Sequence, residues 1–184
     1  MKKITYIFWL ASTLSFLITS VVLLECLLQQ NKPLYDQIGK AISKSDSGYI
    51  EIIDLHTDSA RTVAFYRSET ELSVVLLKKK FRGYECSEYI NKAPLLTEQE
   101  ISWQGSEKKE SNIHLLYGIV KDPEITQILL ISEGDKTASI IKNGDYSIWY
   151  SLVENELNMP ITLQATNKEG KVLYEYGDLD YWKR

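Results

Sequence analysis

Twenty-one consecutive residues near the amino terminus, Ile4–Leu24, include no charged side chain. An α-helix rises about 1.5 Å per residue, so this stretch would extend roughly 31 Å, close to the hydrocarbon thickness of a bilayer. Lys2 and Lys3 directly precede it, and Tyr6 and Trp9 lie near the same end, where aromatic rings favour the headgroup region. The stretch therefore predicts one transmembrane helix, with the lipid bilayer as the partner of Ile4–Leu24.

Two other interpretations of this stretch are a cleaved signal peptide and a lipoprotein signal. The apolar region is too long for a signal peptide, and no pair of small residues of the A-x-A kind follows it. Cys26 does follow the apolar run, but Glu25 stands where lipid attachment normally needs a small residue. Lipidation of Cys26 stays open as an alternative.

The charges that flank the stretch predict its orientation. Lys2 and Lys3 abut it on one side, whereas on the other side Glu25 comes first and Lys32 is eight residues beyond Leu24. Positive residues close to a membrane helix favour the cytoplasmic side. We therefore expect a single-pass protein whose amino terminus is in the cytoplasm and whose remaining chain lies outside the cell.

The composition limits the classes of protein that the rest of the chain can be. With 184 residues in all, the part beyond the helix suits one domain. The chain has 21 Lys and Arg against 25 Asp and Glu, a poor match for nucleic acid, whose phosphates require positive charge. Two cysteines exclude a disulfide-dense scaffold. The predicted parts are a cytoplasmic tail (residues 1–3), a transmembrane helix (4–28), a stalk with a short helix (29–48) and an extracytoplasmic β-domain (49–184).

The stalk contains one amphipathic pattern. Leu34, Ile38 and Ile42 recur at a spacing of four residues, Pro33 suits a first helical turn, and Ser47-Gly48 ends the run. The charges on this segment are mixed, whereas a helix lying on a membrane surface needs a basic polar face. We therefore expect a short helix that covers the core of the domain.

From Tyr49 onward, short β-branched or aromatic runs alternate with polar turns. The first three runs predict a meander and the fourth a further strand or a turn; the irregular segment Ala93–Gly105 follows, in which Thr97–Glu100 could start a short helix. These runs are Tyr49–His56, Arg61–Arg67, Glu71–Lys79 and Phe81–Ile90.

A second series of runs follows, with two hairpin signals between them. Asn143-Gly144 is typical of a tight hairpin and Asn167–Gly170 of a longer one, while Asp122-Pro123 predicts a break between two paired strands. Roughly nine strands at this spacing predict a mainly β fold, an antiparallel sandwich or a barrel. The runs are Asn112–Lys121, Ile125–Ser132, Thr137–Lys142, Tyr146–Val153, Ile161–Thr166 and Lys171–Tyr176.

No residue pattern predicts a catalytic, cofactor-binding or metal-binding site. His56 and His114 have no partner at metal-ligand spacing, and Cys86 has no activating neighbour. Ser106 and Lys109 match the S-x-x-K spacing of penicillin-binding enzymes, but the S-D-N and K-T-G motifs that such enzymes need are missing. We expect a buried histidine at 114 and a polar surface cluster at His56. We interpret the S-x-x-K spacing at Ser106 as a coincidence without a catalytic role.

Two surface features have both a functional and a structural interpretation. The basic cluster Lys78–Arg82 could contact anionic lipid or an anionic wall polymer, but we favour a strand end that enters solvent, because only four charges are involved in an acidic domain. The carboxyl-terminal aromatics could stack on sugars, but at strand spacing most should be core residues, with Trp103 and Trp149 the expected core tryptophans. These aromatics are Tyr146, Trp149, Tyr150, Tyr174, Tyr176, Tyr181 and Trp182.

Five short segments together resemble a known group of proteins. They are Ala64–Tyr66, Val74–Gly83, Gly118–Ile125, Ile148–Tyr150 and Thr162–Glu175. They are similar to small, N-terminally membrane-anchored, extracytoplasmic β-domain proteins of Gram-positive bacteria. The resemblance covers most of residues 49–176 and implies a location and a fold; it carries over no activity and no site residue.

An anchor joined to a β-domain without a catalytic motif favours a non-enzymatic interaction or sensing module at the cell surface. Its partner would be a protein or a cell-wall polymer. One alternative is a membrane-tethered hydrolase, which would need a pocket with converging carboxylate, serine or histidine side chains. Another is an accessory subunit of a membrane complex, which would show a large exposed apolar patch.

Overall fold

The computed structural model of the chain describes residues 12–24, 33–59, 61–81, 83–95 and 98–182. Residues 12–24 are helical, and we name this stretch α1. The predicted span Ile4–Leu24 begins outside the described residues. The end of the predicted segment 4–28 and Cys26 also lie outside them. Within the described ranges, no helix has both the length and the apolar character needed to cross a membrane.

The short helix predicted in the stalk is present as α2, Leu34–Ser45, with Pro33 at its N-cap. Ile38 and Ile42 are fully buried against one face of the first sheet, as their spacing predicts, whereas Leu34 is exposed. Asp46 ends the helix, and its carboxylate accepts a hydrogen bond from the N–H of Gly48 at 2.9 Å. The helix therefore covers the core, as expected.

Sheet A is an antiparallel meander of four consecutive strands, in the order β1-β2-β3-β4. Their bounds are β1 Tyr49–Thr57, β2 Thr62–Ser68, β3 Glu71–Lys80 and β4 Gly83–Pro94. The predicted meander is confirmed, and β4 extends further than the predicted run Phe81–Ile90.

Sheet B has the order β5-β6-β10-β9, and sheet C has the order β12-β11-β7-β8. All pairs are antiparallel. The strands are β5 Gln104–Lys108, β6 Ile113–Val120, β7 Gln127–Leu130, β8 Lys136–Thr137, β9 Ser139–Asn143, β10 Tyr146–Val153, β11 Leu163–Thr166 and β12 Val172–Tyr176.

Helix α2 and the three sheets form four layers, stacked in the order α2, sheet A, sheet B and sheet C. Sheet B is buried on both faces: Ile113 and Tyr117 face sheet A, whereas Leu116 and Trp149 face sheet C. Every residue of β6 is buried, because this strand is central in the central sheet. The fold is therefore a stack of three antiparallel sheets with a helix on one outer face, which confirms the prediction of a mainly β, antiparallel fold.

The Asp122-Pro123 break lies where the sequence predicted it, but the pairing around it is different. Val120 ends β6, and the next strand, β7, begins at Gln127 rather than at Ile125. β6 pairs with β5 and β10, whereas β7 pairs with β11 and β8. The hairpin expected here is therefore wrong: the chain crosses from sheet B to sheet C at Pro123.

Two other local predictions need correction. The run Thr137–Lys142 is divided at Ala138 between β8 of sheet C and β9 of sheet B. Residues 98–100 form bends rather than a helix, and Thr97 lies outside the described residues.

The two hairpin signals are confirmed. Asn143 pairs with Tyr146, so the loop consists of Gly144 and Asp145, and only Gly144 has positive φ, at 61°. That pattern is what a type II′ turn requires, with glycine first. In the longer hairpin, Gly170 takes the left-handed position at φ 78°.

Candidate functional site

His114 is buried, and its imidazole lies between two side-chain oxygens. Its Nδ1 is 3.4 Å from Oε1 of Glu107, and its Nε2 is 3.4 Å from Oδ1 of Asn112. The same Glu107 oxygen accepts a hydrogen bond from the backbone N–H of Leu157 at 2.7 Å. These contacts tie the loop after β10 to β5, so His114 is a buried residue beside the core, as expected.

His56 lies in a polar cluster at the end of β1. Its Nε2 is 3.9 Å from Oδ2 of Asp58, and Nε of Arg61 donates to that oxygen at 2.9 Å. The imidazole also packs edge-on against Tyr150, with ring centroids 6.0 Å apart. Among the described residues, no group of three or more His, Cys, Asp or Glu is placed to hold a metal ion.

The serine and lysine of the S-x-x-K spacing have separate partners. Oγ of Ser106 donates to the carbonyl oxygen of Ile90 at 3.4 Å, whereas Nζ of Lys109 lies 2.8 Å from Oε1 of Glu156. Lys109 also begins a short 3-10 turn after β5. The spacing therefore builds no nucleophile.

The described part of the basic cluster is exposed, and the cysteine is half-buried. Lys78, Lys79 and Lys80 are exposed at the end of β3, with Nζ of Lys80 2.8 Å from Oε1 of Glu85. Arg82 lies outside the described residues. Cys86 is half-buried and free, and burial raises the pKa of its thiol, which disfavours the reactive thiolate.

The aromatic residues divide between the core and one end of the molecule. Trp149 is fully buried and donates from Nε1 to the carbonyl oxygen of Ser102 at 2.9 Å, so that core prediction is confirmed. Trp103 is only half-buried, because it covers the side of sheet C with its ring edge-on to Tyr176, at 4.9 Å. Trp182, near the carboxyl end of the described residues, lines one cleft, and Tyr146 lines another.

This cleft, of about 630 Å³, lies at one end of sheet C, and we name it the sheet C cleft. Three separate segments form it: the turn after β7, the segment from the β10–β11 loop into β11, and helix α3, Leu179–Trp182. Its lining residues are Ile131, Ser132, Gly134, Asp135, Asn158, Gln164, Leu179 and Trp182.

Backbone hydrogen bonds hold the first two segments together. The N–H groups of Ile131 and Ser132 both donate to the carbonyl oxygen of Thr162, at 2.9 and 3.2 Å. The carboxylate of Glu133 accepts two further bonds from Asn158, one from its backbone N–H at 2.9 Å and one from its Nδ2 at 3.1 Å. The turn is thereby held against the loop that carries Asn158.

The third segment is held by its tryptophan. Nε1 of Trp182 lies 3.1 Å from the carbonyl oxygen of Pro160 and 3.1 Å from Oγ1 of Thr162. Asp178 accepts hydrogen bonds from the N–H groups of Asp180 and Tyr181, which starts the helix. Because the indole nitrogen is used in this way, the carbon part of the Trp182 ring is what remains to line the cleft.

Ser132 is the unusual residue of the cleft. It is 2% exposed, and its Oγ has no hydrogen-bond partner among the described residues. A buried hydroxyl without a partner costs free energy. Asp135, on the rim, is exposed and has positive φ, at 57°, so the turn presents its carboxylate to solvent.

Apart from the aromatic Trp182, no motif predicts this cleft. Ser132, Asn158 and Gln164 belong to no motif, and the three segments are far apart in the chain. Since β7 was expected to pair with β6, its turn was not expected beside β11.

Comparison of the chain with family models, with curated proteins and with solved structures finds no match. The chemistry of the sheet C cleft is therefore the basis on which a function can be proposed.

Proposed function

We propose that this chain is a membrane-anchored module that binds a small ligand in the sheet C cleft, outside the cell and without catalysis. The observation that carries the proposal is the sheet C cleft itself, which Asp135, Asn158, Gln164 and Trp182 line beside the buried hydroxyl of Ser132. A cleft with an aromatic wall and a few placed polar groups is the usual form of a small-molecule site.

Binding is better supported than hydrolysis because the cleft offers no activated nucleophile. Hydrolysis by a serine needs a base within hydrogen-bond reach of the hydroxyl. Ser132 has no such partner, and within the described residues neither histidine is hydrogen-bonded to a serine or cysteine.

The anchor is supported by the sequence of Ile4–Leu24 and by the described part of α1. The hydroxyls of Thr19 and Ser20 donate to carbonyl oxygens one turn back, at 2.6 and 2.9 Å, which satisfies them within the helix as a lipid environment requires. Phe16 and Leu17 are largely exposed, so nothing described covers them. Lipid is the partner that fits these side chains. The resemblance to anchored proteins of Gram-positive bacteria supports the same arrangement.

Two measurements test the proposal. Intact cells that make the chain with a carboxyl-terminal tag are treated with protease, and we expect the tag to be lost without lysis. A tag protected until lysis would place the domain in the cytoplasm and contradict the location.

A thermal-shift screen of the full-length chain in detergent against small polar compounds tests the binding. We expect hits that stabilise wild type and lose their effect in Trp182→Leu, which removes the aromatic wall. Lys168→Ala is the control, because Lys168 is exposed and lines a different depression. Stabilisation that is equal in all three proteins, or no hit at all, would contradict a binding role for the cleft.

A further inference from the structure

The polar lining of the sheet C cleft is dominated by hydrogen-bond acceptors, because two carboxylates bind the amide nitrogens of its side chains. A carboxylate only accepts, so an amide side chain that bonds to it must present its nitrogen. Nδ2 of Asn158 donates to Oε2 of Glu133, at 3.1 Å. Oδ1 of Asn158 accepts no hydrogen bond from the described residues, so Asn158 presents an acceptor.

Gln164 is arranged in the same way by another carboxylate. Its Nε2 donates to Oε2 of Glu175 across the β11–β12 pair, at 2.9 Å. Its Oε1 is therefore the amide atom left without a partner among the described residues. Two amides that could each offer a donor or an acceptor are thus both fixed as acceptors.

The lining of the cleft is also negatively charged. Asp135 is the charged residue among the described lining residues, and none of them is basic. The adjacent Lys136 directs its Nζ elsewhere, donating to the carbonyl oxygen of Leu152 at 2.5 Å. Glu133 and Glu175 add two more carboxylates, each hydrogen-bonded to one of the two amides.

From these contacts we infer that the sheet C cleft binds a primary ammonium group. An ammonium group has three donors and no acceptor, which complements the Asp135 carboxylate and the oxygens of Asn158 and Gln164. The ring carbons of Trp182 add a surface that attracts cations. The inference rests on the proposed function, because it names the ligand class of that same cleft.

The test is isothermal titration of the full-length chain in a polyoxyethylene detergent, which offers neither sugar nor amine. The probes are glucosamine and Nα-acetyl-lysine amide, each compared with its N-acetylated counterpart, in which the ammonium is lost. We expect at least one free amine to bind at least tenfold more tightly than its acetylated form. Binding of glucosamine alone would indicate an amino sugar, and binding of the lysine probe alone an amino acid side chain; both support the inference.

Two matched substitutions test whether the amine binds in the cleft. Asp135→Asn removes the charge, and asparagine tolerates the positive φ of this position. We expect about a tenfold loss of amine affinity, the size of one charge-assisted hydrogen bond. Asp145→Asn makes the same change in an exposed hairpin outside the cleft, and we expect it to leave the affinity unchanged.

A chain that ends at Trp182 controls for the basic residues Lys183 and Arg184, and we expect it to bind the amine as wild type does. The inference is overturned if neither amine binds, if acetylation does not matter, if loss of these two residues abolishes binding, or if Asp135→Asn and Asp145→Asn behave alike. A neutral sugar that binds and is lost in Trp182→Leu would overturn the ammonium inference while leaving the proposed function in place.

Discussion

Sheets A and C both consist of four antiparallel strands, but sheet A joins neighbouring segments of the chain and sheet C joins distant ones. Sheet A joins four consecutive strands, each paired with the next along the chain. Sheet C joins β7 and β8 to β11 and β12, and the chain leaves it for sheet B in between. The candidate site lies at the end of the sheet that is assembled from distant segments.

This difference has a physical reason. A meander satisfies the backbone of each strand with its neighbour and leaves short turns at the sheet ends. A sheet assembled from distant segments brings several loops to one end, where their side chains can converge. Ser132, Asn158 and Trp182 come from three such segments.

The largest effect is expected for the packing between sheets A and B. Phe65 is fully buried and stacks on Tyr150, with ring centroids 4.2 Å apart. We expect Phe65→Ala to lower the free energy of unfolding by about 4 kcal/mol, because it removes a ring from a filled core. Chemical denaturation of the full-length chain measures this loss. The control is Phe81→Ala, since Phe81 is 70% exposed; losses of similar size in both would contradict the layered core.

The second-largest effect is expected at Gly118, where sheet B closely approaches the segment before β5. A Cβ on Gly118 would lie 1.9 Å from the carbonyl oxygen of Ser102 and 2.8 Å from Nε1 of Trp149. Backbone must move to admit it, so we expect Gly118→Ala to cost about 3 kcal/mol. At Gly105 the nearest atom is the flexible Cδ1 of Leu157, at 3.2 Å. Gly105→Ala should therefore cost well under half as much, and equal losses would count against this geometry.

Sheet A could be predicted from the sequence because its hairpins are local. The turns at Asp58 and Glu69 each lie between strands that pair with each other. Asn143-Gly144 and Gly170 gave equally local signals, and both hairpins are present.

The pairing of sheets B and C left no comparable signal. β6 is buried on both faces, so its sequence lacks the alternation that would mark one face. Pro123 shows that a strand ends but not where the next one pairs. Ala138 separates two sheets within one continuous run. The cleft could not be predicted because its residues meet only after these pairings are made.

A smaller effect is expected on the helix side of sheet A, and it depends on pH. The hydroxyl of Tyr66 donates to Oδ2 of Asp46 at 2.7 Å, and this bond holds the pKa of Asp46 below its ordinary value of 3.8. A carboxylate whose pKa is lowered on folding stabilises the fold above its unfolded pKa, and the contribution is lost as the pH falls through the folded pKa. We expect Tyr66→Phe to cost about 1 to 2 kcal/mol at pH 7.

The difference between wild type and Tyr66→Phe should shrink below about pH 4, measured by denaturation at a series of pH values. Tyr84→Phe is the control, because Tyr84 packs beside α2 without a hydrogen bond from its hydroxyl to a described residue. A difference that stays constant down to pH 2 would show that the Asp46 contact does not stabilise the fold.

The smallest effect is expected at Cys86. The thiol is free and half-buried beside α2, so Cys86→Ser should change the free energy of unfolding by less than about 1 kcal/mol. Thermal melts with and without reductant measure it. A loss above about 2 kcal/mol, the low end of a typical disulfide contribution, would indicate that Cys86 forms a bond needed for folding.

Hydrogen–deuterium exchange of the full-length chain, with and without the amine that binds in titration, tests most directly that ligand binding belongs to sheet C rather than sheet A. Binding at the sheet C cleft predicts slower exchange in peptides that cover residues 131–135 and 158–164 and no change in β2. Slower exchange in β2, or none at residues 131–135 and 158–164, would contradict it.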